Sequence, residues 1–300
     1  MIGWFTNHIR IFKNTLGGRK KVGKFISAFF AILGGLSTLI DVLEFLFKIK
    51  CIQDICREYG IWILLAILIS SYIFCRRKLD WQFNLSGTDI KIELTVKDIF
   101  NVKSDAYVIP TCTTFDTTLE NEFISVHSVQ GQLEQKYFNY NLSSLDHLLE
   151  EGLKGKNSSQ LNRIKTKNKQ YPLGTVSQIA YDDHRYYFAA VADVNESGVP
   201  VDAKKENIEL ALSGVWQEIK IVGHNESLAI PLLGTGRAGI PDAKVEDVIK
   251  ITVKSFVEFT RTNSREATNK LVICVYPNDF DKIKNIDEVV EYVRYCCKYM

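Results

Sequence analysis

Two apolar runs near the start of the chain restrict its fold more than any other feature. FISAFFAILGGLSTLI, residues 25–40, holds sixteen residues without a charge, and the run reaches Phe47 if Asp41 and Glu44 lie at an interface. IWILLAILISSYIFC, residues 61–75, holds fifteen and stops at Arg76, Arg77 and Lys78, with Trp62 and Tyr72 toward its two ends. At about 1.5 Å per residue each run approaches the roughly 30 Å hydrocarbon core of a bilayer. Aromatic residues belong where a span meets water. The pair predicts a transmembrane helical hairpin over 25–78, with spans at about 25–47 and 61–75. Two other readings stay open: a buried helical pair in a soluble domain is also apolar all round, and a signal peptide is also basic and then apolar. Against the signal peptide, the basic stretch is long and a second run follows soon.

Residues 1–24 form a basic N-terminal segment, with Arg10, Lys13, Arg19, Lys20, Lys21 and Lys24 and no acid. Three basic residues follow the second run, and the connecting loop KIKCIQDICREYG is mixed in charge. Lys and Arg stay on the cytoplasmic side, so both termini are expected in the cytoplasm of a two-span inner-membrane protein. The formal charge of +2 averages this asymmetry away and gives no reason to expect nucleic acid. Two spans enclose no pore, so an act on the lipid bilayer calls for a homo-oligomer. Gly34 and Gly35, with Ser27, Ala28, Ala31 and Ser37, offer a small-residue face that another helix could approach.

Seven cysteines, at 51, 56, 75, 112, 274, 296 and 297, make no paired Cys-x-x-Cys pattern, so no metal is expected. They read as thiols of a reducing compartment, while Cys51 and Cys56 are left as bonded or free.

From about residue 80 the pattern changes. IKIELTV, 90–96, alternates with period two, AYVIP, 106–110, is a short apolar strand, and GTVSQIAY and RYYFAAVA flank DDH as a hairpin. HSVQGQLEQKYF and LSSLDHLLEEGL read as short helices, and 154–170 as a solvated basic loop that could also draw in an anion. Ile208, Leu212, Val215, Trp216 and Ile219 share a helical face; SLAIPLL, 227–233, and KLVICVY, 270–276, are buried strands. Val245, Val248, Ile249, Thr252, Phe256 and Phe259 repeat at helical spacing, and a last helix covers about 286–297. Strands and helices in alternation predict a three-layer α/β domain.

The loop GTGRAG, 234–239, follows a strand, and Pro241 sits where a first-turn proline would open a helix. Glycines let backbone approach a ligand closely, and freed amides at a helix start point at negative charge, so a diphosphate suits it. It has neither the Rossmann spacing nor the P-loop Gly-Lys-Ser/Thr, and a structural turn without a ligand is the alternative.

VKDIFNVKSDAYVIPT, 96–111, and IPLLGTGRAGIP, 230–241, together resemble the macro domain. That family opens with a Gly-Asp-Ile turn, continues to a strand of the type Asp-Ala-Ile-Val-Asn, and closes its pocket with Pro-x-x-Gly-Thr-Gly around ADP-ribose or a relative. The resemblance implies a three-layer α/β/α macro domain with a mixed central sheet over 80–300. It implies Asp98 as the carboxylate for the adenine amino group and Gly234, Thr235, Gly236, Arg237, Ala238 and Gly239 as the diphosphate loop. Tyr276 would line the adenine side. Read as residues alone, Asp98 could instead cap a helix and Tyr276 could sit in the core.

Family members that hydrolyse ADP-ribose esters carry Asn-Ala-Ala-Asn after the first strand, where this chain has Ile109, Pro110, Thr111 and Cys112. The run TFDTTLENEFISVHSVQGQLEQKYF, the later YPLGTV and the hairpin resemble a narrower group, the transmembrane-macro effectors of type II Thoeris antiphage defence. This implies a receptor with no catalytic residue and no cofactor. Its ligand would be an ADP-ribose derivative, histidine-ADP-ribose for this group, made from NAD by a partner TIR-domain enzyme. Binding would trigger membrane disruption and abortive infection. Thr111, Phe115 and Asp116 would recognise the group beyond the distal ribose, although Asp116 could equally cap a turn. The competing class is a membrane-tethered ADP-ribosyl hydrolase using Asp116, His127 or Cys112 as base or nucleophile. An anchored interaction protein with a vestigial pocket is the third.

Overall fold

The computed structural model describes residues 19–47, 51–75, 78–119, 124–139, 141–161, 167–195, 199–201, 204–223, 225–235, 244–263 and 268–300, with backbone alone at 19–21, 47 and 51–57. Most of the basic segment 1–24, Pro241 and the side chains of Cys51 and Cys56 lie outside the described part. The chain divides into two compact units, Met1–Leu79 and Asp80–Met300.

The first unit is a pair of helices packed on each other, α1 (Arg19–Phe47) and α2 (Cys51–Cys75). Residues 22–46 and 58–75 are long and apolar enough to cross a membrane. α2 begins ten residues before the apolar run, so most of the expected connecting loop is helical. Gln, Asp, Arg and Glu are tolerable helix formers, and hydropathy marks what can lie in lipid, not where a helix starts. Polar side chains inside the runs are satisfied along their own helix: the Thr38 hydroxyl donates to Gly34 O at 2.8 Å and that of Ser71 to Ile67 O at 2.6 Å. Phe30, Phe45, Ile61, Trp62 and Phe74 are at least 62% exposed, which overturns the reading as a buried soluble pair. So large an uncovered apolar surface calls for lipid or neighbouring helices. A Cβ at Gly34 or Gly35 would meet nothing within 4 Å among the described residues.

The second unit begins with β1 (Asp80–Asn84), β2 (Lys91–Thr95), a 3-10 turn (Ile99–Asn101) and β3 (Ala106–Cys112). Then come α3 (Val129–Phe138), α4 (Leu142–Gly152), a small ribbon of β4 (Ser159–Gln160) and β5 (Lys169–Gln170), and the hairpin β6 (Val176–Tyr181) and β7 (His184–Ala192). The rest is α5 (Lys205–Val222), β8 (Ser227–Pro231), α6 (Val245–Thr262), β9 (Lys270–Cys274), α7 (Pro277–Phe280) and α8 (Ile286–Tyr299). Seven strands form one sheet in the order β1-β2-β9-β8-β3-β7-β6. β2, β9, β8, β3 and β7 run parallel, and the edges β1 and β6 run antiparallel to their neighbours.

Period-two alternation in the central strands puts apolar residues on both faces, as strands covered from two sides require. Tyr107 and Ile109 of β3 and Tyr186, Phe188 and Ala190 of β7 join Leu133 and Phe138 of α3 and Leu145 and Leu149 of α4 in one core. α5, α6 and α8 cover the other face, where Trp216 lies edge-on to Phe256 with centroids 5.3 Å apart and donates to Ser255 Oγ at 2.8 Å. This is the three-layer α/β/α arrangement with a mixed sheet. Asp182 and Asp183, with φ of 50° and 59°, form the two-residue turn that matches the twist of the β6–β7 hairpin. β1 was not legible, because DWQFN is an edge strand in which only Phe83 is buried.

Candidate ligand-binding cleft

The five parallel strands all end on one side, and a cleft of about 570 Å³ lies across their carboxyl ends. Parallel sheets place ligands there, because the loops after the strands and the starts of the helices converge at that edge. Most of the described lining comes from the last residues of strands, the chain just past them and the start of α3.

Past β2, Asp98 is partly buried and lines the cleft. Its Oδ1 accepts Phe100 N–H at 3.0 Å and caps the 3-10 turn. The capping reading of Asp98 therefore holds, and the carboxylate also borders the cleft. Past β9, Tyr276 lines the cleft and is 48% exposed, so it is not a core residue but a ring face free to stack. Between them on the floor lies Cys274, whose thiol is pushed up by burial and then by the carboxylates of Asp98 and Glu93, and so stays neutral.

Past β8, Gly234 and Thr235 turn the chain along the cleft. Gly234 has φ of 72°, where a side chain is strained, and Thr235 Oγ1 donates to Leu232 O at 2.9 Å to close the turn. Gly236, Arg237, Ala238 and Gly239 lie outside the described residues. At the end of β3, Thr111 is only 6% exposed and lines the cleft, and its hydroxyl has no hydrogen-bond partner among the described residues. A buried hydroxyl left unpaired costs about 1–3 kcal/mol, so this one is available to a group that enters the cleft.

The far wall is the start of α3, which sequence reasoning missed as a lining element. Ser128 caps it by accepting Gly131 N–H at 3.0 Å and donates to Ser125 O at 2.6 Å, and Ser125, Ser128 and Gln130 all line the cleft. The signal was present in Ser-Val-Gln-Gly, a capping residue three ahead of a glycine. A Cβ at Gly131 would lie 2.3 Å from Ser125 O, so only glycine lets the helix and the 125–126 backbone meet. A helix start on one wall and a glycine turn on another present backbone amides to an anion between them.

Phe115 and Asp116 are not in the cleft, which corrects the expectation that they recognise the ligand. The chain leaves β3 through a register shift at Thr111/Cys112, and Phe115 takes φ of 50°, so the loop turns inward. Phe115 is 1% exposed, edge-on to Tyr171 in the core. Asp116 Oδ1 accepts Lys167 N–H at 3.0 Å, Oδ2 accepts the Thr114 hydroxyl, and its carbonyl accepts Gln130 Nε2 at 2.8 Å. Asp116 therefore ties loops together. Behind it Glu134 is fully buried; burial first, and Asp146 to a smaller extent, push its carboxyl up to about 8 against the Gln130 and Lys167 contributions.

Of the residues considered for catalysis, Cys112 and His127 line the cleft and Asp116 does not. Cys112 Sγ is 3.3 Å from the Thr114 hydroxyl, and that hydroxyl is bonded to Asp116. His184 lies elsewhere, edge-on to Tyr107 with centroids 5.4 Å apart. The cleft thus brings a carboxylate, an exposed aromatic ring, a glycine turn and a helix start to one edge of the sheet.

The family model for the macro domain of Thoeris protein ThsA matches residues 92–276. Thoeris protein ThsA of Bacillus amyloliquefaciens (strain Y2) is 26% identical over 268 residues, covering 86% of this chain and 85% of that one. Among solved structures, a mutant of the Oceanobacillus iheyensis macrodomain superposes with a TM-score of 0.50 at 13% identity, covering 72% of this chain and 98% of its own. The same macrodomain with ADP gives a TM-score of 0.49 at 14% identity, covering 71% and 96%.

Proposed function

The chain belongs to the Thoeris ThsA macro-domain family, and on that premise we propose that it is a membrane-bound antiphage effector whose macro domain is a receptor. The ligand is an ADP-ribose derivative, histidine-ADP-ribose in this reading, made from NAD by a partner TIR-domain enzyme. The apolar hairpin holds the domain at the cytoplasmic face of the inner membrane with both termini inside, as the basic flanks of the runs favour. Ligand binding drives a homo-oligomer of these spans to disrupt the bilayer, and the infected cell is lost.

The observation that carries the receptor reading is one cleft that brings together Asp98, Tyr276, the Gly234 turn and the Thr111 hydroxyl, which is unpaired among the described residues. Adenine would stack near Tyr276 with its amino group on Asp98, and the diphosphate would lie between the Gly234 turn and the start of α3. With Phe115 and Asp116 turned into the core, Thr111 would hold the distal ribose instead of the group beyond it. Thr111→Val is a direct check: ADP-ribose affinity should fall about two- to tenfold as one hydrogen bond is lost. Stability should be unchanged or rise by about 1 kcal/mol, since the variant no longer buries an unpaired hydroxyl. Equal affinity in the two proteins would take Thr111 out of the site.

Cys112 and His127 in the cleft favour a second reading, an ADP-ribosyl hydrolase. Calorimetric titration of the full chain in detergent micelles with ADP-ribose, NAD and histidine-ADP-ribose, followed by mass analysis of recovered ligand, separates the two. Binding with the ligand intact is expected; turnover would make the protein an enzyme, and no heat with any of the three would end the receptor reading.

A further inference from the structure

The Gln-Gly-Gln run in the first turn of α3 fixes one amide group on the wall of the cleft. Ser128 caps the helix, and Gly131 lets it sit against the 125–126 backbone. Gln132 Nε2 donates to His127 O at 3.3 Å and holds the turn before the helix. Gln130 turns the other way. It is 3% exposed and lines the cleft, and its Nε2 donates to Asp116 O at 2.8 Å and to Glu134 Oε1 at 3.0 Å.

A side-chain amide has two N–H donors, and both are used. The Asp116 carbonyl can only accept, so the nitrogen must face it and the amide cannot flip. Asp116 is itself held by Lys167 N–H and the Thr114 hydroxyl, and Glu134 is fully buried, so both partners are fixed. Gln130 Oε1 is fixed with them, and it has no hydrogen-bond partner among the described residues. An amide oxygen accepts and never donates, so it suits a hydroxyl or an amino group and opposes a phosphate.

Its place in the fold decides between the two. Asp98, assigned above to the adenine amino group, follows β2, whereas Gln130 is tied to the chain that leaves β3, and β9 and β8 lie between those strands. Thr111, assigned above to the distal ribose, ends the same strand β3. We infer that Gln130 selects the distal sugar of the ligand: its fixed amide oxygen accepts a free ribose hydroxyl and disfavours a phosphate in that position. This rests on the ADP-ribose site proposed above. Thr111 then offers a donor from the β3 wall and Gln130 an acceptor from the α3 wall, and a ribose between the walls can use both.

Calorimetry of full-length protein in detergent micelles with ADP-ribose and with ADP, which lacks the second ribose, tests this. Gln130→Met keeps the length of the side chain and removes its amide, so the ratio of ADP-ribose to ADP affinity should fall about tenfold. A residue that only packs the wall would weaken both ligands alike. An unchanged ratio with ADP-ribose still bound therefore overturns the role of Gln130 and leaves the site standing. Should Gln130→Met fail to fold, the wild type decides: ADP-ribose carrying a phosphate on its distal ribose should bind at least about tenfold more weakly than ADP-ribose. Equal binding of the two overturns the inference. Absence of ADP-ribose binding in wild type overturns the site and the role of Gln130 with it.

Discussion

Asp98→Ala is expected to weaken ADP-ribose binding about tenfold to a hundredfold in calorimetry of the full chain. A hydrogen bond to a charged group contributes roughly 1.5–3 kcal/mol, and each 1.4 kcal/mol is about a factor of ten. The same truncation removes the acceptor for Phe100 N–H, a lost cap that costs about 1 kcal/mol of stability. Asp98→Asn tells the two roles apart, since its carbonyl oxygen can still cap the turn while the charge is gone. It should melt like wild type and still bind less tightly. Asp98→Ala binding as tightly as wild type would remove Asp98 from the site and leave it a capping residue.

The stability of the macro domain should fall as pH rises from about 5 to 8, and Glu134→Gln should flatten that fall. Glu134 ordinarily titrates at 4.5 and is raised to about 8 in the fold, chiefly by burial. Between those two values the native chain holds a proton that the unfolded chain has released, so stability decreases with rising pH. At about 1.4 kcal/mol per pH unit the full effect is on the order of 5 kcal/mol. Asp146, Lys167 and Gln130 are the groups that act on it, with Asp146 raising its value and the other two lowering it. The loss is complete once pH passes the folded value. Urea unfolding of full-length protein at pH 5 and pH 8 measures it, and an equal slope in wild type and Glu134→Gln would exclude this carboxyl as the source.

The strands and helices of the macro domain could be read where the apolar period was long, as in α5, α6, β7 and β9. β1 escaped because an edge strand buries one side chain in five residues and leaves no period to read. The start of α2 escaped because it is polar. At the site, Asp98, Thr111, Gly234, Thr235 and Tyr276 all reached the cleft. Their common feature is that each lies at or just past the carboxyl end of a parallel strand, so chain order alone puts them on one edge.

Phe115 and Asp116 lie only four and five residues from Thr111 and fail, because a register shift and one positive φ turn the loop into the core. Conversely Lys97 and Ser125 reach the cleft though nothing in the sequence singles them out, and Ser128 does so behind a capping signal only. The sequence by itself determined two apolar runs fit for lipid, an alternating α/β domain, and a glycine turn with a carboxylate far upstream, since periodicity and turn chemistry are properties of neighbouring residues. Only the tertiary structure decided that Asp116 is a brace, that α3 forms a wall, and that Asp80, at the start of an edge strand, pairs with Lys97 beside the cleft. Those outcomes depend on strand order, register and the direction of an edge strand, which are set by contacts between residues far apart in the chain.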